Sequence, residues 1–292
     1  MQNGYIPTIF VKAETIPQAW ERAVLEVWQK GCQIKTQYDK PEDPASRDAT
    51  GIIEVEDPFK EPRIHKNFPG GPEELESYRQ EVVDGIHNHW INPEEDKWTY
   101  TYNERLFEYS PCEDLSKSSS PRPFKPVNQV QCMIEQLSQA TYSRRAQAIT
   151  WQPTCDPKTY DPPCLQRVWC RLLEDEQGEL VLNMNTHWRS RDLYKAWFMN
   201  VYALTDLQKI IAAKIGDKLQ RTVKVGRYVD IADSLHLYGS YFSEIEPEIK
   251  KMKDTPLDNR VWSSDNPAFV MMTEEAKHKL AEDPDWYRKG RG

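Results

Sequence analysis

The chain has 292 residues, of which 38% are hydrophobic and 29% charged, so it can build the core of one large domain or two small ones. With 46 acidic and 38 basic residues the net charge is −8, which argues against a general nucleic-acid binder, because such proteins rely on a basic face. No apolar run approaches the roughly 20 residues of a membrane span, and the N-terminus lacks a secretory signal. The six cysteines show neither a CxxC pair nor metal-like spacing. We expect a cytoplasmic protein with reduced thiols, no metal site and no membrane partner.

The first half of the chain shows helical patterns separated by long polar connections. Apolar residues at helical spacing, with Thr15 as N-cap and Gly31 as stop signal, predict a helix over Ile16–Lys30. Further predictions are an exposed loop over 36–50, a strand over 51–56, helices over 72–85 and 128–140, and a proline- and serine-rich surface loop over 110–126. A linker between domains is the alternative interpretation of 110–126.

The second half changes to strands around one long apolar segment. Strands are predicted over 147–151, 166–173, 179–186, 222–231 and 234–237, and helices over 192–215, 240–253 and 273–281. The 192–215 helix is apolar nearly all round, which is typical of a helix inside a core. Strands and helices without regular alternation predict an α+β fold.

Cys164 follows two prolines in the segment Asp-Pro-Pro-Cys-Leu. The prolines fix the approach of the chain, which would place the thiol at a rigid loop end. Arginines nearby in sequence would favour the ionised thiol, which makes Cys164 a candidate nucleophile. The alternative role is that of a small buried hydrophobic side chain.

Arginines occur with hydroxyl groups or in pairs at three places: Arg47, the pair Arg144-Arg145, and Arg189-Ser190. In an acidic chain, converging arginines suit bidentate binding of a small dianion such as a phosphate monoester. Ordinary surface arginines are the alternative. No glycine-rich phosphate loop is present, which argues against a nucleoside triphosphatase.

Four polar residues stand out in the apolar second half. Asp192 and Asn200 lie at and within the predicted long helix, where a buried amide needs a hydrogen-bond partner from the protein or from a ligand. His236 and Tyr238 alternate along a predicted strand and would share one face, where they could bind a sugar hydroxyl.

The order of these motifs resembles the thymidylate synthase family, which includes the deoxypyrimidine-monophosphate hydroxymethylases. The resemblance rests on the Arg-Arg pair, Pro-Pro-Cys, Arg-Ser-x-Asp, the following Asn, and Asp-Ser-x-His-x-Tyr. It is strong over 141–242 and fainter over 46–106. It implies one domain over 1–292 with a divergent C-terminal extension over 243–292. It also implies a thymidylate synthase-like α+β fold, in which a mixed β-sheet forms a dimer interface and one long helix is buried.

The resemblance further implies a binding site for a pyrimidine nucleoside monophosphate. The 5′-phosphate would be held by Arg47, Arg144, Arg145, Arg189 and Ser190. The Arg-Arg pair would reach across from the second subunit of an obligate homodimer.

The implied chemistry begins with Cys164 adding to C6 of the pyrimidine, which makes C5 a carbon nucleophile. C5 would then attack the iminium form of 5,10-methylenetetrahydrofolate, the implied cofactor. Asn200 would read the base edge, Asp192 would order the base and folate region, and His236 and Tyr238 would bind the 3′-hydroxyl. Because an amide matches both the O4 acceptor and the N3 donor of uracil, Asn200 favours dUMP over dCMP.

The family also uses a glutamate with a raised pKa, which manages protons at O4 and C5 through water. Glu81 is the candidate here, with a solvated helix glutamate as the alternative role. Tyr102 would match the active-site tyrosine of the family.

The sequence departs from the usual family pattern at Leu165, where histidine is common, and at Trp188, where glutamine is common. The C-terminal segment that closes over the folate in ordinary members is not recognisable. Three functions therefore stay open: synthesis of dTMP from dUMP, 5-hydroxymethylation of dUMP (or of dCMP or CMP) with water in place of hydride, and nucleotide binding without turnover.

Overall fold

The computed structural model describes residues 4–92, 98–111 and 125–289. The strands are β1 (Thr8–Ala13), β2 (Cys32–Ile34), β3 (Ser46–Val55), β4 (Ile64–His65), β5 (Gln147–Ile149), β6 (Leu165–Glu174), β7 (Leu180–Trp188), β8 (Arg191–Asp192), β9 (Val223–Leu237) and β10 (Val261–Trp262). The α-helices are α1 (Ile16–Lys30), α2 (Gly71–Asp84), α3 (Tyr102–Phe107), α4 (Gln129–Gln139), α5 (Trp197–Leu219), α6 (Phe242–Asp254), α7 (Pro267–Glu282) and α8 (Trp286–Lys289).

Helix α1 begins and ends where its sequence signals predict. The hydroxyl of Thr15 accepts a hydrogen bond from the backbone N–H of Gln18, and Gly31 caps the last turn. Trp20 is fully buried, and its indole N–H donates to the carbonyl of Leu193 at 2.9 Å. This bond ties α1 to the segment that leads into α5.

A mixed sheet forms the centre of the fold, with the strand order β1–β3–β9–β7–β6–β5. β1 is parallel to β3 and β7 is parallel to β9, whereas β3 and β9, β6 and β7, and β5 and β6 are antiparallel pairs. Helix α5 packs against β7 and β9, and most of its first half is buried. The predicted α+β class and the predicted long buried helix are confirmed.

The two faces of the sheet are covered to different extents. On one face, residues such as Val168 and Leu182 are buried beneath the helices. On the other face, Trp169, Val181 and Ile231 remain partly exposed. The described residues therefore leave a partly apolar sheet face incompletely covered.

Several predicted element boundaries are wrong. The helix predicted over 273–281 begins six residues earlier, at Pro267, where Asn266 caps it. Residues 46–50 belong to β3 rather than to a loop, because they pair with β2 and β9. The helix predicted from residue 192 begins at Trp197, because Arg191 and Asp192 form β8 beside β9. The segments 222–231 and 234–237 form one continuous strand, β9. The loop predicted over 110–126 lies largely outside the described residues.

The expectation of reduced thiols holds for Cys32, Cys132, Cys164 and Cys170, but Cys155 is disulfide-bonded. Among the described residues, no helix is both long and apolar enough to cross a membrane. In the same residues, histidines, cysteines and carboxylates form no cluster that could hold a metal ion.

Candidate active site

Cys164 lies at the end of a loop whose backbone is held by Arg189. The guanidinium of Arg189 donates to the carbonyl of Pro163 from Nε at 3.0 Å and to that of Pro162 from Nη2 at 2.5 Å. The backbone N–H of Arg189 also donates to the carbonyl of Cys164 at 2.9 Å. These bonds join the start of β6 to the end of β7 and hold the thiol in a defined position.

The surroundings of the Cys164 thiol act in opposite directions on its pKa. Burial raises the pKa, and the carboxylate of Asp161 adds to this effect. The guanidinium groups of Arg189 and Arg191 and a hydrogen bond with Ser190 lower it, without fully offsetting the burial. The pKa of the thiol is therefore above its ordinary value, and the thiol is mainly protonated near neutral pH.

Two tyrosines and a tryptophan form the wall beside this thiol. The hydroxyl of Tyr102 accepts a hydrogen bond from the backbone N–H of Leu165 at 3.3 Å. Its ring packs edge-on against Trp188, with 5.8 Å between centroids, and lies 5.7 Å from the ring of Tyr100. Leu165 and Trp188, the two departures from the family pattern, are both almost completely buried.

A chain of buried polar contacts runs behind the thiol. Arg191, which is 1% exposed, donates from Nη1 to Oδ1 of Asn200, and Asn200 donates from Nδ2 to the hydroxyl of Tyr78. Through its other terminal nitrogen, Nη2, Arg191 pairs with Oδ2 of Asp230 at 3.0 Å. The guanidinium also lies over the ring of Trp188, 3.6 Å from its centroid. The buried amide therefore has protein partners on both its oxygen and its nitrogen.

Asp192 anchors the turn that leads into α5. Its Oδ1 accepts hydrogen bonds from the backbone N–H groups of Tyr194 and Lys195, each at 3.0 Å. Burial raises the pKa of this carboxyl to about 6. No hydrogen bond to Oδ2 occurs within the described residues, so this oxygen can accept from an N–H group of a ligand.

His236 and Tyr238 lie together, as their spacing predicts, with 4.5 Å between ring centroids. Nδ1 of His236 lies 3.3 Å from both the hydroxyl and the carbonyl oxygen of Ser234. Nε2 of this buried ring has no hydrogen-bond partner within the described residues. Burial lowers the pKa of His236 to about 4, so the ring is neutral at physiological pH. The unpartnered nitrogen fits a ligand hydroxyl.

Within the described residues, three of the predicted phosphate-binding arginines have their recognised contacts with groups other than Cys164. Arg47 is on β3, and its guanidinium lies 4.9 Å from the centroid of the Trp28 ring. Arg144 and Arg145 are exposed in the turn before β5, where the carbonyl of Arg144 accepts a hydrogen bond from the indole N–H of Trp169. Among the described residues, Arg189 and Ser190 are the members of the predicted set that contact Cys164 or the two prolines before it.

Glu81 is buried rather than solvated, and its carboxylate turns toward His87. Oε2 of Glu81 lies 2.7 Å from Nδ1 of His87, whose Nε2 lies 2.9 Å from the carbonyl of Pro284. The residue of α2 that contacts Asn200 is Tyr78, one helical turn earlier.

Sequence reasoning did not single out Tyr78 and Arg191. Tyr78 shares a face of α2 with buried Leu75 and Val82, a spacing that could have revealed that it points inward. Arg191 occupies the unspecified position of Arg-Ser-x-Asp, and only the fold shows that its partner is Asp230, on another strand.

The comparisons with known proteins agree with this geometry. Residues 74–268 match the family model for thymidylate synthase, which is well over half of the chain. Curated relatives named "Putative thymidylate synthase" include one from Methanococcoides burtonii (27% identical, covering 82% of this chain and 94% of the relative) and one from Methanocaldococcus jannaschii (28% identical, covering 78% and 90%).

The fold is similar to that of a solved structure, thermostable thymidylate synthase A from Bacillus subtilis. The TM-score is 0.56 at 15% sequence identity, and the match covers 85% of this chain and 94% of the other. The expected thymidylate synthase-like fold is thereby confirmed, and the family identifies a one-carbon transferase. The chain is a divergent member of the thymidylate synthase family.

Proposed function

We propose that this enzyme transfers one carbon from 5,10-methylenetetrahydrofolate to C5 of dUMP and forms dTMP. The observation that carries the proposal is the convergence of Cys164, two arginines and the Asn200 amide at one edge of the sheet. Adding a thiolate to C6 requires a nucleophile beside cations, and the resulting charge at O4 requires a hydrogen-bond donor.

The steps follow from the residues around the base. The sulfur of Cys164 bonds to C6, and the electrons of the C5–C6 double bond move toward C5 and O4. An N–H of Asn200 donates to O4 and stabilises the charge that develops there. After the carbon is bonded to C5, loss of the C5 proton would break the bond from that carbon to the folate nitrogen. Addition of hydride to the same carbon would then restore the C5–C6 double bond and expel the thiolate of Cys164, which leaves a methyl group on C5.

Glu81 is the carboxylate that we propose for proton transfer through water. Its close contact with His87 makes the Glu81–His87 pair, rather than a lone carboxyl group, the unit that would move the proton. The wall formed by Tyr102 and Trp188 would keep bulk water from the adduct.

The sugar, the phosphate and the folate have separate partners in this proposal. Nε2 of His236, with no partner in the described structure, would accept from the 3′-hydroxyl beside Tyr238. When bound, the folate supplies the carbon and, for dTMP, the hydride. Asp192 is the residue that would hold its pteridine edge.

A homodimer supports the rest of the phosphate site. Arg144 and Arg145 are exposed and make no contact with Cys164 among the described residues, as they would if each pair served the other subunit. The incompletely covered sheet face, with Trp169 and Val181, offers a surface for that partner. Arg47 would close over the phosphate only after its side chain leaves Trp28.

A 5-hydroxymethylase acting on dUMP, dCMP or CMP is the second candidate, and the C-terminal stretch 283–289 favours it. This stretch is held against α2 and residues 87–90: Nε1 of Trp90 donates to Asp285 at 2.6 Å, and Tyr287 donates to Glu74 at 3.1 Å. In this second proposal the stretch stays engaged there when folate binds and leaves the reacting carbon open to water, which would take the place of hydride.

The decisive experiment incubates the full chain with dUMP and methylenetetrahydrofolate and identifies the nucleotide by mass spectrometry. Formation of dTMP with dihydrofolate would support the synthase, and 5-hydroxymethyl-dUMP with tetrahydrofolate would support the hydroxymethylase. Nucleotide binding without any exchange of the C5 hydrogen would refute both. Cys132→Ser is the matched control for cysteine replacement, because Cys132 is exposed on α4.

A further inference from the structure

The amide of Asn200 is held in one orientation by a residue that can only donate hydrogen bonds. Arg191 carries no acceptor, so the atom that faces it must be Oδ1, and Nδ2 must face the opposite way, toward Tyr78. The hydroxyl of Tyr78 could satisfy either end of an amide, because a phenol both donates and accepts. The orientation of Asn200 is therefore decided by Arg191 alone.

The guanidinium of Arg191 is itself fixed on two further sides. Asp230 pairs with Nη2 at 3.0 Å, and both side chains are 1% exposed. Trp188 stacks beneath the guanidinium at 3.6 Å, and its own indole N–H donates to Thr186 at 3.0 Å. A rotation of Asn200 by 180° would place its NH2 group against this immobile cation.

The fixed orientation has a consequence for base recognition. Besides these contacts, Oδ1 has a second lone pair that can accept from a ligand, and Nδ2 has a second hydrogen that can donate to one. The fixed orientation decides on which side the ligand meets the acceptor and on which side it meets the donor. Uracil presents a donor at N3 next to an acceptor at O4, whereas cytosine presents an acceptor next to a donor. A freely rotating amide would match either base, but a fixed amide matches one.

We propose that Arg191 is a positioning residue that sets base selectivity, by holding Asn200 in the orientation that accepts a 4-oxo pyrimidine and rejects a 4-amino pyrimidine. This inference rests on the proposed function, since it assumes that a pyrimidine nucleotide occupies the site. It goes beyond that function because it assigns selectivity to the residue that orients the amide, and not to the amide alone.

The test replaces Arg191 without leaving a buried charge behind. In the double variant R191Q/D230N, the introduced glutamine can offer either its oxygen or its nitrogen to Asn200, so both orientations become available. The single variant R191K keeps a group that can only donate and should keep the selectivity. The matched control is E21Q/R260Q, which removes another buried carboxylate–arginine pair, with 2.6 Å between Oε2 and Nη2, on the α1 side of the molecule.

The measurement is the ratio of dissociation constants for dCMP and dUMP, obtained by titration calorimetry without folate. We expect the wild type, R191K and E21Q/R260Q to prefer dUMP. We expect the preference of R191Q/D230N to fall by about ten- to a hundredfold, as for an unmatched buried hydrogen bond. Circular dichroism and thermal unfolding would show that each variant is folded.

The outcomes separate this inference from the proposed function. A double variant that keeps the wild-type ratio would overturn the role of Arg191, as would a wild type that binds both nucleotides equally. In those cases exchange of the C5 hydrogen of dUMP in the presence of folate would still support the enzyme. If the wild type bound neither nucleotide, the proposed function and this inference would both fail.

Discussion

Replacement of His236 by glutamine should change how the stability of the protein depends on pH. The imidazole is 4% exposed, and its burial lowers the pKa from 6.5 to about 4 in the folded chain. Because the folded pKa lies below the unfolded value, the unfolded chain binds a proton that the folded chain refuses. The stability contributed by neutral His236 is thus present above pH 6.5 and is lost as the pH falls toward 4.

The size of the effect follows from the two pKa values of His236. The full difference, 6.5 − 4 = 2.5 units, corresponds to about 3.4 kcal/mol at 1.36 kcal/mol per unit. Only the part of a change from pH 8 to pH 5 that lies below the unfolded pKa counts, which is 6.5 − 5 = 1.5 units. It corresponds to a loss of about 2 kcal/mol in the free energy of unfolding. Asp192 acts in the opposite sense, because its pKa is raised to about 6 and the folded chain gains from its protonation. The difference between wild type and variant isolates the histidine.

The assay is urea-induced unfolding of wild type and His236→Gln at pH 8 and at pH 5. The wild type should lose about 2 kcal/mol more than the variant between the two pH values. His278→Gln, which removes an exposed imidazole on α7, serves as the control for the loss of a histidine from the surface. Parallel pH dependences for wild type and His236→Gln would refute the reasoning.

Three further predictions concern the thiol, the amide and one buried carboxyl group. Cys164→Ser should reduce turnover at least about 10³-fold while dUMP still binds, and steady-state rates near wild type would disprove the nucleophile. Asn200→Asp should pair with Arg191 through one oxygen and accept from an exocyclic amine through the other, shifting the ratio of dissociation constants toward dCMP; an unchanged ratio would assign base reading elsewhere. Burial raises the pKa of Glu104 from 4.5 to about 7, a shift of 7 − 4.5 = 2.5 units or about 3.4 kcal/mol, which solvent screening of its 23% exposed side chain reduces to about 2 kcal/mol. Glu104→Gln should therefore stabilise the protein by about 2 kcal/mol at pH 8 and flatten the gain that the wild type shows as the pH falls below 7. Denaturant unfolding would measure this, and lower stability of Glu104→Gln at pH 8 would contradict it.

The sequence correctly predicts those elements whose ends are fixed by neighbouring residues, such as a capping hydroxyl or a glycine. Helix α1 follows its cap and its apolar spacing residue by residue, since Thr15 and Gly31 act within the same segment. The predicted start of α5 is wrong because Asp192 lies in β8, which pairs with β9, and its side chain accepts a hydrogen bond from the turn that precedes the helix. No local pattern in the sequence predicts that β8 pairs with β9, because the paired residues lie roughly 40 positions apart in the chain.

The site shows the same division between local motif and distant partner. Cys164, Arg189 and Ser190 come together because adjacent strands bring two short motifs to one edge. The partners of Arg191 and Tyr78 lie on different elements, and each contact is a property of the tertiary arrangement. Sequence reasoning could name the residue types of the chemistry but not the contacts that orient them.

The packing of α2 has a consequence for how the enzyme is made in the cell. This helix carries Tyr78, yet it packs against α7 and α8, which follow it much later in the chain. Pro284 and Asp285 complete the contacts of His87 and Trp90 just beyond the helix. A ribosome-bound chain can therefore form the sheet around β9 and its thiol loop before α2 is fully packed. We expect the nascent enzyme to stay inactive until α7 and α8 have left the exit tunnel, because only then can α2 pack fully behind the reactive centre.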